Sequence, residues 1–318
     1  MTGTTAAVTI AVATALDLSV EELPERIHPV ALFGRLVEPI DRPWPTPRLA
    51  GAIAAFLLPL VAAVVAGVAV AIALAFNTAV GIVAAALTLF STISLRMLLS
   101  AGAAMIDLTD ADLGAARESA IALVGRETDE LSAEELRSAA VESLAENLAD
   151  GLVGPLFAFA IGSIVSLPVA VGAAAWVKAV NTMDSMLGYR SKPHGWASAR
   201  LDDLVMWLPA RIAAACIAIA GRSPAALRRA RSSRRKPASP NSGWPMATIA
   251  AVLDIRLHKP GAYTLNPGDD LPTIERAREA VRIVGIAGIV SVAFAMLLSG
   301  LLGNVTGYLP IPGVITWY

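Results

Sequence analysis

The stretch from residue 142 to residue 203 carries most of the side chains in this chain that could do chemistry. Glu142, Glu146 and Asp150 follow one another at four-residue intervals and lead into residues 151–177, which carry no charge. At that spacing the three carboxylates project from one face of a helix, and like charges so placed destabilise it. The pattern indicates either a bound ligand or metal, which we favour, or a solvated acidic face.

A second group of polar side chains follows the same apolar run. Its members are Asn181, Asp184, Tyr189, Arg190, Trp196, Arg200, Asp202 and Asp203. Burying so many polar groups next to lipid is costly unless metal ions or charged ligands pair with them. Carboxylates and amides without paired cysteines favour a hard cation such as Mg²⁺, which usually binds one or two carboxylates together with substrate phosphates. We therefore predict an anion-and-metal site at a membrane face.

The composition is that of an integral membrane protein. Of the 318 residues, 56% are hydrophobic and only 16% are charged, whereas a soluble domain has about 25% charged residues. Residues 51–95 and 283–318 contain no charge at all. The net charge of −1 gives no reason to expect nucleic acid as a partner, and the single cysteine, Cys216, cannot form an internal disulfide.

The uncharged residues 51–95 are too many for one membrane helix, because about 20 residues suffice to cross the hydrocarbon. Asn77 lies at the polar break in this run, so the sequence predicts a hairpin of two membrane helices there. Two further uncharged runs predict a first and a last membrane helix. The predicted segments are roughly 2–16, 51–75, 79–98 and 283–302.

The apolar residues 151–177 leave open whether the chain crosses the bilayer between Asp150 and Asp184. A single span would place Asp150 and Asp184 on opposite sides of the bilayer. Glycines and prolines interrupt the run, and broken hydrophobic segments are typical of binding sites at membrane depth. We therefore predict a re-entrant or oblique helical pair that returns to its starting side. The same interpretation applies to residues 204–220, where Arg211 makes a simple lipid-facing span expensive.

These features predict an all-α, polytopic membrane protein with about four to six membrane segments, at least one of them broken or re-entrant. A single domain covers residues 1–318. Polar helical loops are predicted at about 19–50, 100–150, 178–203 and 221–282. Residues 222–236 hold a cluster of arginines and one lysine without an acid, which the positive-inside rule assigns to the cytoplasm. Anionic lipid headgroups are the simplest partner of this cluster, and a phosphorylated substrate is the alternative.

Several common chemistries have no signature here. The sequence contains no P-loop, no dinucleotide-binding glycine pattern and no paired cysteines or H-E-x-x-H motif for zinc. His28 stands beside a proline, where a histidine more often makes a structural hydrogen bond than binds a ligand, so both roles stay open. Residues 239–245 form a turn by composition. Its Asn241 and Trp244 are placed to line a pocket.

Six motifs occur in a fixed order between about residue 28 and residue 282. They are His28-Pro-Val…Gly34-Arg35, Glu142-Ser…Glu146-Asn147…Asp150-Gly151, Asn181-Thr…Asp184-Ser-Met…Gly188-Tyr189-Arg190, Gly195-Trp196-Ala…Arg200-Leu-Asp202-Asp203, Leu208-Pro-Ala-Arg211 and Ser239-Pro-Asn241…Gly243-Trp244-Pro245. Together they resemble the CobD/CbiB family of cobalamin biosynthesis proteins.

The resemblance implies an integral membrane adenosylcobinamide-phosphate synthase, an amide-forming ligase of vitamin B12 assembly. Such an enzyme joins adenosylcobyric acid to aminopropanol phosphate at the expense of ATP, with Mg²⁺. The implied metal ligands are Glu146, Asp150, Asp184, Asp202 and Asp203, of which the first three are also catalytic candidates. The implied phosphate clamps are Arg35, Arg190 and Arg200. Further substrate contacts would come from Asn147, Asn181, Tyr189, Trp196, Asn241 and Trp244. The amine proton would pass to His28 or His194.

The resemblance also implies a multi-pass protein of the cell membrane with its motif loops in the cytoplasm. Its partners would be membrane lipids and, as further candidates, other late enzymes of the pathway. Two other classes stay open at this point. One is a Mg²⁺-dependent membrane transferase of a phosphorylated alcohol, although its usual D-x-x-x-D spacing is missing here. The other is a non-catalytic transporter or scaffold for the corrinoid pathway.

Overall fold

The computed structural model describes residues 3–20, 22–124, 130–189 and 191–308, so Arg190 lies outside the described part of the chain. Within that part the fold is helical apart from one small hairpin. The helices are α1 (Gly3–Ser19), α2 (Pro29–Val37), α3 (Pro47–Phe76), α4 (Thr78–Phe90), α5 (Leu95–Ala111), α6 (Leu113–Val124), α7 (Ala133–Leu148), α8 (Gly154–Gly162), α9 (Leu167–Leu187), α10 (Trp196–Val205), α11 (Trp207–Ala220), α12 (Ala225–Ala230), α13 (Gly243–Leu253) and α14 (Ile274–Tyr308). The strands β1 (Leu257–Lys259) and β2 (Tyr263–Leu265) pair antiparallel, with Leu257 opposite Leu265.

The predicted hairpin of membrane helices is present as α3 and α4. Asn77 has extended backbone, and its side-chain oxygen accepts a hydrogen bond from the Ala79 backbone N–H at 2.7 Å. One residue therefore ends α3 and caps α4. Both helices expose large apolar side chains, among them Phe76 at 81%. A continuous apolar surface of this kind is typical of contact with lipid rather than water.

Four helical stretches of the described chain are long and apolar enough to cross a membrane. They are Pro47–Phe76, Thr78–Ala111, Ala133–Gly162 and Ile274–Gly303. A fifth candidate is the bent pair of Pro193–Val205 and Trp207–Ala220, whose halves meet at 49°. The predicted polytopic helical architecture is thereby confirmed. The segment predicted as the first membrane helix forms α1, which packs against α4 and α14 but at 17 residues is a shorter apolar helix and is not one of these candidates.

The uncharged run after Asp150 folds as a helical pair. α8 ends at Gly162, and α9 then runs back along it. A Cβ at Gly162 would lie only 2.8 Å from the Cα of Ala170, so the close approach of the two helices requires glycine. Val165 in the turn is 59% exposed, which puts an apolar tip at the surface. Asp150 and Asp184, one before this pair and one near its end, line one cavity, which agrees with the predicted returning pair.

A capping box begins α7, the helix that carries the first acidic motif. The Ser132 hydroxyl accepts from the Glu135 backbone N–H at 3.2 Å, and the Glu135 carboxylate accepts from the Ser132 backbone N–H at 2.9 Å. This reciprocal pair satisfies two of the free N–H groups at a helix start. Beyond it, Leu136, Leu144 and Leu148 are fully buried. Protein encloses α7 in contact with α5, α6, α13 and α14.

Two elements after residue 242 do not follow from the sequence analysis, which predicts a polar helical loop over 221–282 but identifies neither α13 nor the β-hairpin. α13 begins inside the predicted turn, with Pro245 in its first turn where proline is tolerated. Its apolar residues are buried nearly all round, so it lacks the amphipathic period that marks a surface helix. The β-hairpin then packs against α7, where the Ser138 hydroxyl accepts from the His258 backbone N–H at 2.8 Å.

Gly51 provides a test of how α3 meets the loop before α10. A Cβ at this position would lie 1.7 Å from the His194 carbonyl oxygen. We expect Gly51→Ala to destabilise the protein by about 1–3 kcal/mol, because the helix and the loop must separate. The measurement is the thermal unfolding midpoint of the purified protein in detergent. Gly268→Ala is the control, since nothing lies within 4 Å of its added Cβ. An unchanged midpoint for Gly51→Ala would contradict this packing.

Candidate functional site

Four of the predicted acidic residues line one small cavity, which we call the acid cavity. Its volume is about 60 Å³. The carboxylates are those of Glu146, Asp150, Asp184 and Asp202, and the neutral polar residues are Ser239, Asn241 and Ser242. These residues come from α7 and the turn after it, from α9, from α10 and from the segment before α13. Motifs that are far apart in the sequence therefore converge.

A π-helical turn, Ala149–Val153, joins α7 to α8 and carries Asp150. Such single wide turns inside α-helices frequently occur at functional sites. Glu142, by contrast, does not line the cavity. Its carboxylate accepts hydrogen bonds from the Tyr263 hydroxyl at 2.7 Å and from the Ser138 hydroxyl at 3.0 Å. The predicted acidic face is therefore divided between a structural carboxylate and two that face the site.

Asn181 lies between two of the cavity's carboxylates. Its Nδ2 donates to Asp202 Oδ1 at 3.5 Å, and its side chain also hydrogen-bonds Asp150. The residue is buried, with 9% of its surface exposed. An amide that serves both carboxylates fixes their separation. The predicted contact of Asn181 with a substrate stays a prediction.

The acid cavity has more negative than positive charge around it. Lys178, one turn before Asn181 on α9, lies within Coulombic reach of Asp150, and Lys259 of β1 lies within reach of Glu146. Asp202 has three carboxylates near it, those of Asp150, Asp184 and Asp203. Like charges at such a place raise the free energy of the folded chain unless a cation joins them.

The donor set suits a hard cation that arrives with some of its own ligands. Among the described residues, no group of three or more His, Cys, Asp and Glu side chains is arranged closely enough to hold a metal ion. Mg²⁺ does not need such a group, because it usually takes one or two carboxylates and keeps water or substrate phosphate as its other ligands. Asp150 and Asp202, which share Asn181, are a suitable pair. The five predicted metal ligands stay a prediction.

A larger pocket of about 510 Å³, which we call the cationic pocket, lies beside the acid cavity and shares Asp184 and Ser239 with it. Its cations are Arg48, Lys192 and Arg200, and its aromatic residues are Tyr189 and Trp196. Asp203 also lines it, 3.8 Å from an Arg200 nitrogen. Cations and aromatic faces next to carboxylates suit a phosphorylated ligand with an apolar part.

An ion-pair cluster supports one wall of the cationic pocket. Lys192 Nζ donates to Asp41 Oδ2 at 2.6 Å, and His194 Nε2 lies 3.1 Å from Asp41 Oδ1. The hydrogen bond from Lys192 lowers the pKa of Asp41 below its ordinary value. Asp41 is therefore ionised and ties the loop before α3 to the loop before α10. His194 is buried beside Asp41 and lines neither the cationic pocket nor the acid cavity.

Three predicted site residues lie away from both cavities. His28 caps α2, because its Nδ1 accepts from the Val30 backbone N–H at 3.2 Å, which is the structural role that the sequence left open. Arg35 lies 3.8 Å from Glu25 at the surface. Asn147 points into a separate cavity beside α5. The structure does not bring these three side chains to the acidic residues.

The Ser-Pro-Asn turn closes one side of the acid cavity. Asn241 Nδ2 donates to the Asp203 backbone carbonyl at 2.7 Å, and Asn241 Oδ1 accepts from Arg211 at 3.1 Å. The Ser239 hydroxyl lies 3.5 Å from Asp203 Oδ1. These contacts attach the turn to the end of α10. Asn241 lines the cavity, whereas Trp244 lies behind it against Arg211.

Sequence reasoning missed the cations that surround the site. Arg48 and Lys192 line the cationic pocket, and Lys178 approaches Asp150. Arg48 and Lys178 stand at a boundary of an apolar run, and Lys192 lies between two of the recognised motifs. A basic residue at the edge of a broken hydrophobic segment is the signal that could have identified the first two.

Comparison with known proteins gives a consistent result. A family model described as CobD/Cbib protein matches residues 10–301. A probable cobalamin biosynthesis protein CobD of Methanothrix thermoacetophila is 37% identical over 90% of this chain and 93% of its own length. The cobalamin biosynthesis protein CobD of Rhodobacter capsulatus is 36% identical over 79% of this chain and 82% of its own length. The cobalamin biosynthesis protein CobD of Pelobacter propionicus is 35% identical over 80% of each chain. No solved structure matches the chain.

The charge imbalance of the acid cavity predicts a response to divalent cations. Excess Mg²⁺ should stabilise the wild-type protein, by about 2.7 kcal/mol at a hundredfold excess over Kd. Asp202→Asn should raise the unfolding midpoint in the absence of Mg²⁺, because one like charge is removed, and should reduce the response to Mg²⁺. Thermal unfolding with and without the cation measures both effects. Asp107→Asn, at a surface ion pair with Arg278, should respond like wild type. An undiminished response in Asp202→Asn would contradict the metal assignment.

Proposed function

This chain belongs to the CobD/CbiB family, and on that premise we propose that it catalyses the amide-forming step that yields adenosylcobinamide phosphate in cobalamin biosynthesis. The reaction joins a free carboxylate of adenosylcobyric acid to the amine of aminopropanol phosphate at the expense of ATP. One observation carries the proposal. The acid cavity and the cationic pocket adjoin and share Asp184, so that metal-binding and phosphate-binding groups meet at one point.

Amide formation from a carboxylate requires activation, because the carboxylate oxygen is a poor leaving group. Transfer of the γ-phosphoryl group of ATP to the carboxylate gives an acyl phosphate and ADP. The amine then attacks the acyl carbon, inorganic phosphate leaves, and the amine nitrogen loses a proton. Most of the charge to be stabilised lies on phosphoryl oxygens. The guanidinium groups of Arg48 and Arg200 and the ammonium group of Lys192 suit that task.

Beside Glu146 in the acid cavity, the two carboxylates that would hold Mg²⁺ are those of Asp150 and Asp202, and the ion would supply positive charge to the phosphates. Asn181 keeps the last two carboxylates at a fixed separation. Asp184 borders both cavities, so we assign it the proton that the attacking amine loses. His194 is engaged with Asp41, and His28 caps a helix. Asp184 is therefore better placed than either histidine for this step.

The same proposal puts the site on the cytoplasmic side of the membrane, where ATP is available. Its support is that Arg234, in the basic segment 222–236, stacks on Trp244 directly behind the acid cavity. That segment and the site thus lie on one side of the protein. Basic segments beside membrane helices are cytoplasmic by the positive-inside rule.

Cysteine labelling tests this orientation. Arg228 is exposed on the basic segment, and the native Cys216 is buried. In a Cys216→Ala background, Arg228→Cys should react with a membrane-impermeant maleimide in inverted membrane vesicles. In right-side-out vesicles it should react only after detergent is added. The opposite pattern would contradict a cytoplasmic site.

Reconstituted synthesis tests the activity itself. Detergent-purified protein is supplied with adenosylcobyric acid, aminopropanol phosphate, ATP and Mg²⁺, and the amide product is measured. Asp150→Asn and Asp184→Asn should each reduce the rate by about a hundredfold or more, because a metal ligand or the proton acceptor is lost. Asp107→Asn should retain the wild-type rate.

The wild-type protein gives the result that separates this proposal from its alternatives. Corrinoid binding without any amide product would favour a non-catalytic scaffold. Consumption of a phosphorylated alcohol without a new amide bond would favour a membrane transferase. Either result would reject the ligase assignment, whatever the variants show.

A further inference from the structure

Two guanidinium groups surround one indole directly behind the acid cavity. Arg234 Cζ lies 4.4 Å from the ring centroid of Trp244, and Arg211 Cζ lies 5.5 Å from the same centroid. Arg211 also stacks on Trp207, 4.2 Å from its centroid. We call Arg211, Arg234 and Trp244 the arginine–tryptophan cluster. α11 supplies Arg211, the basic segment supplies Arg234, and α13 supplies Trp244 in its first turn.

The positive charge of this cluster is not compensated by the protein. Within the described residues neither Arg211 nor Arg234 forms an ion pair. Arg211 donates instead to neutral acceptors, the Trp207 carbonyl and Asn241 Oδ1. The two guanidinium groups also lie within Coulombic reach of each other. Repulsion between half-buried like charges is stronger than in water, so a bound anion would stabilise this arrangement.

Two hydrogen-bond donors of the cluster lack an acceptor. Arg234 Nε and Trp244 Nε1 are buried and make no hydrogen bond, and they are two of only four such side-chain atoms among the described residues. The other two are hydroxyl oxygens of Thr14 and Ser299. Buried donors are nearly always paired in folded proteins. Their concentration here indicates that the cluster is incomplete without an acceptor-rich ligand.

We propose that the arginine–tryptophan cluster binds a phosphate group of a soluble substrate, an inference that rests on the proposed function. Paired guanidinium groups bind phosphate through planar, charge-assisted hydrogen bonds. Asn241 accepts a hydrogen bond from Arg211 and also lines the acid cavity. A phosphate held by the cluster is therefore one side chain away from the carboxylates.

The proposed reaction explains why a second cationic site is needed. It uses two phosphorylated substrates, ATP and aminopropanol phosphate, whereas the cationic pocket is a single opening. The pocket and the cluster contact different residues of one turn: Ser239 lines the pocket, and Asn241 accepts a hydrogen bond from Arg211. Each site can then hold the phosphate of one substrate.

Anionic lipid headgroups present the same chemistry, and the half-exposed Trp207 beside Arg211 would suit a membrane interface. The experiment therefore uses the full-length protein in nanodiscs of phosphatidylcholine alone or of phosphatidylcholine with phosphatidylglycerol. Calorimetric titrations with ATP and, separately, with aminopropanol phosphate measure binding. No turnover occurs, since adenosylcobyric acid is left out.

We expect Arg234→Gln to raise Kd for one of the two ligands about tenfold or more in phosphatidylcholine nanodiscs, because a charge-assisted contact is lost. Arg234→Lys, which keeps the positive charge but lacks the planar guanidinium group, should give an intermediate Kd. Arg228→Gln is the matched control. Arg228 is an exposed arginine of the same basic segment that forms no ion pair within the described chain, and its replacement should leave both values of Kd unchanged.

Two results would overturn the inference. One is an unchanged Kd for both ligands in Arg234→Gln. The other is a defect that appears only in nanodiscs with phosphatidylglycerol, which would assign the cluster to lipid headgroups. If Arg234→Gln fails to fold, Trp244→Phe keeps the aromatic ring but lacks the N–H group. It should raise Kd for the same ligand about threefold, and wild-type binding by Trp244→Phe would equally reject the site.

The failure of this inference can be told apart from that of the proposed function. Binding of ATP or aminopropanol phosphate that depends on Arg234, in a protein that forms no amide, would support the cluster and reject the ligase assignment. Normal amide synthesis by Arg234→Gln, with unchanged KM for ATP and for aminopropanol phosphate, would reject the cluster alone.

Discussion

Repulsion among carboxylates gathered at the edge of an apolar helical layer is the constraint on which the rest of this structure depends. Asp150, Asp184 and Asp202 line one cavity of about 60 Å³, although removing each ion from water costs several kcal/mol. They stay together because a π-helical turn, the amide of Asn181 and the turn at Asn241 hold them. Such an arrangement is stable where a cation and an anionic ligand offset the charge, which is the basis of the proposed ligase.

The broken apolar segment is what lets the separate motifs meet. α8 and α9 form a pair that enters the apolar layer and returns, so Asp150 before the pair and Asp184 near its end lie on the same side. A straight span would have separated them by the thickness of the bilayer. Arg48, in the first turn of α3, and Lys192, in the loop before α10, also line the cationic pocket at that level. The membrane helices thus act as the scaffold, and the candidate site lies at their ends.

Features with a local signature could be predicted from the sequence, and features that depend on distant partners could not. The uncharged runs and the polar break at Asn77 predict the membrane helices. The glycines near Gly162 predict the returning helical pair. Helical spacing predicted that Glu142 belongs to the site. In the structure its carboxylate accepts a hydrogen bond from the Tyr263 hydroxyl of the β-hairpin, which is distant in the sequence. Spacing also cannot tell which side of α7 faces the acid cavity. The structure shows that Asn147 lines a separate cavity instead. α13 lacks an amphipathic pattern because it is buried nearly all round.

The returning helical pair has a consequence for where this protein can work. α9 is a continuous helix that has the exposed apolar residue Val169 at its start and Asp184 near its end. A rigid rod transmits displacement along its axis, and a bilayer that is too thick or too thin pushes on embedded segments. The acyl-chain length of the host membrane would then affect the distances between the carboxylates.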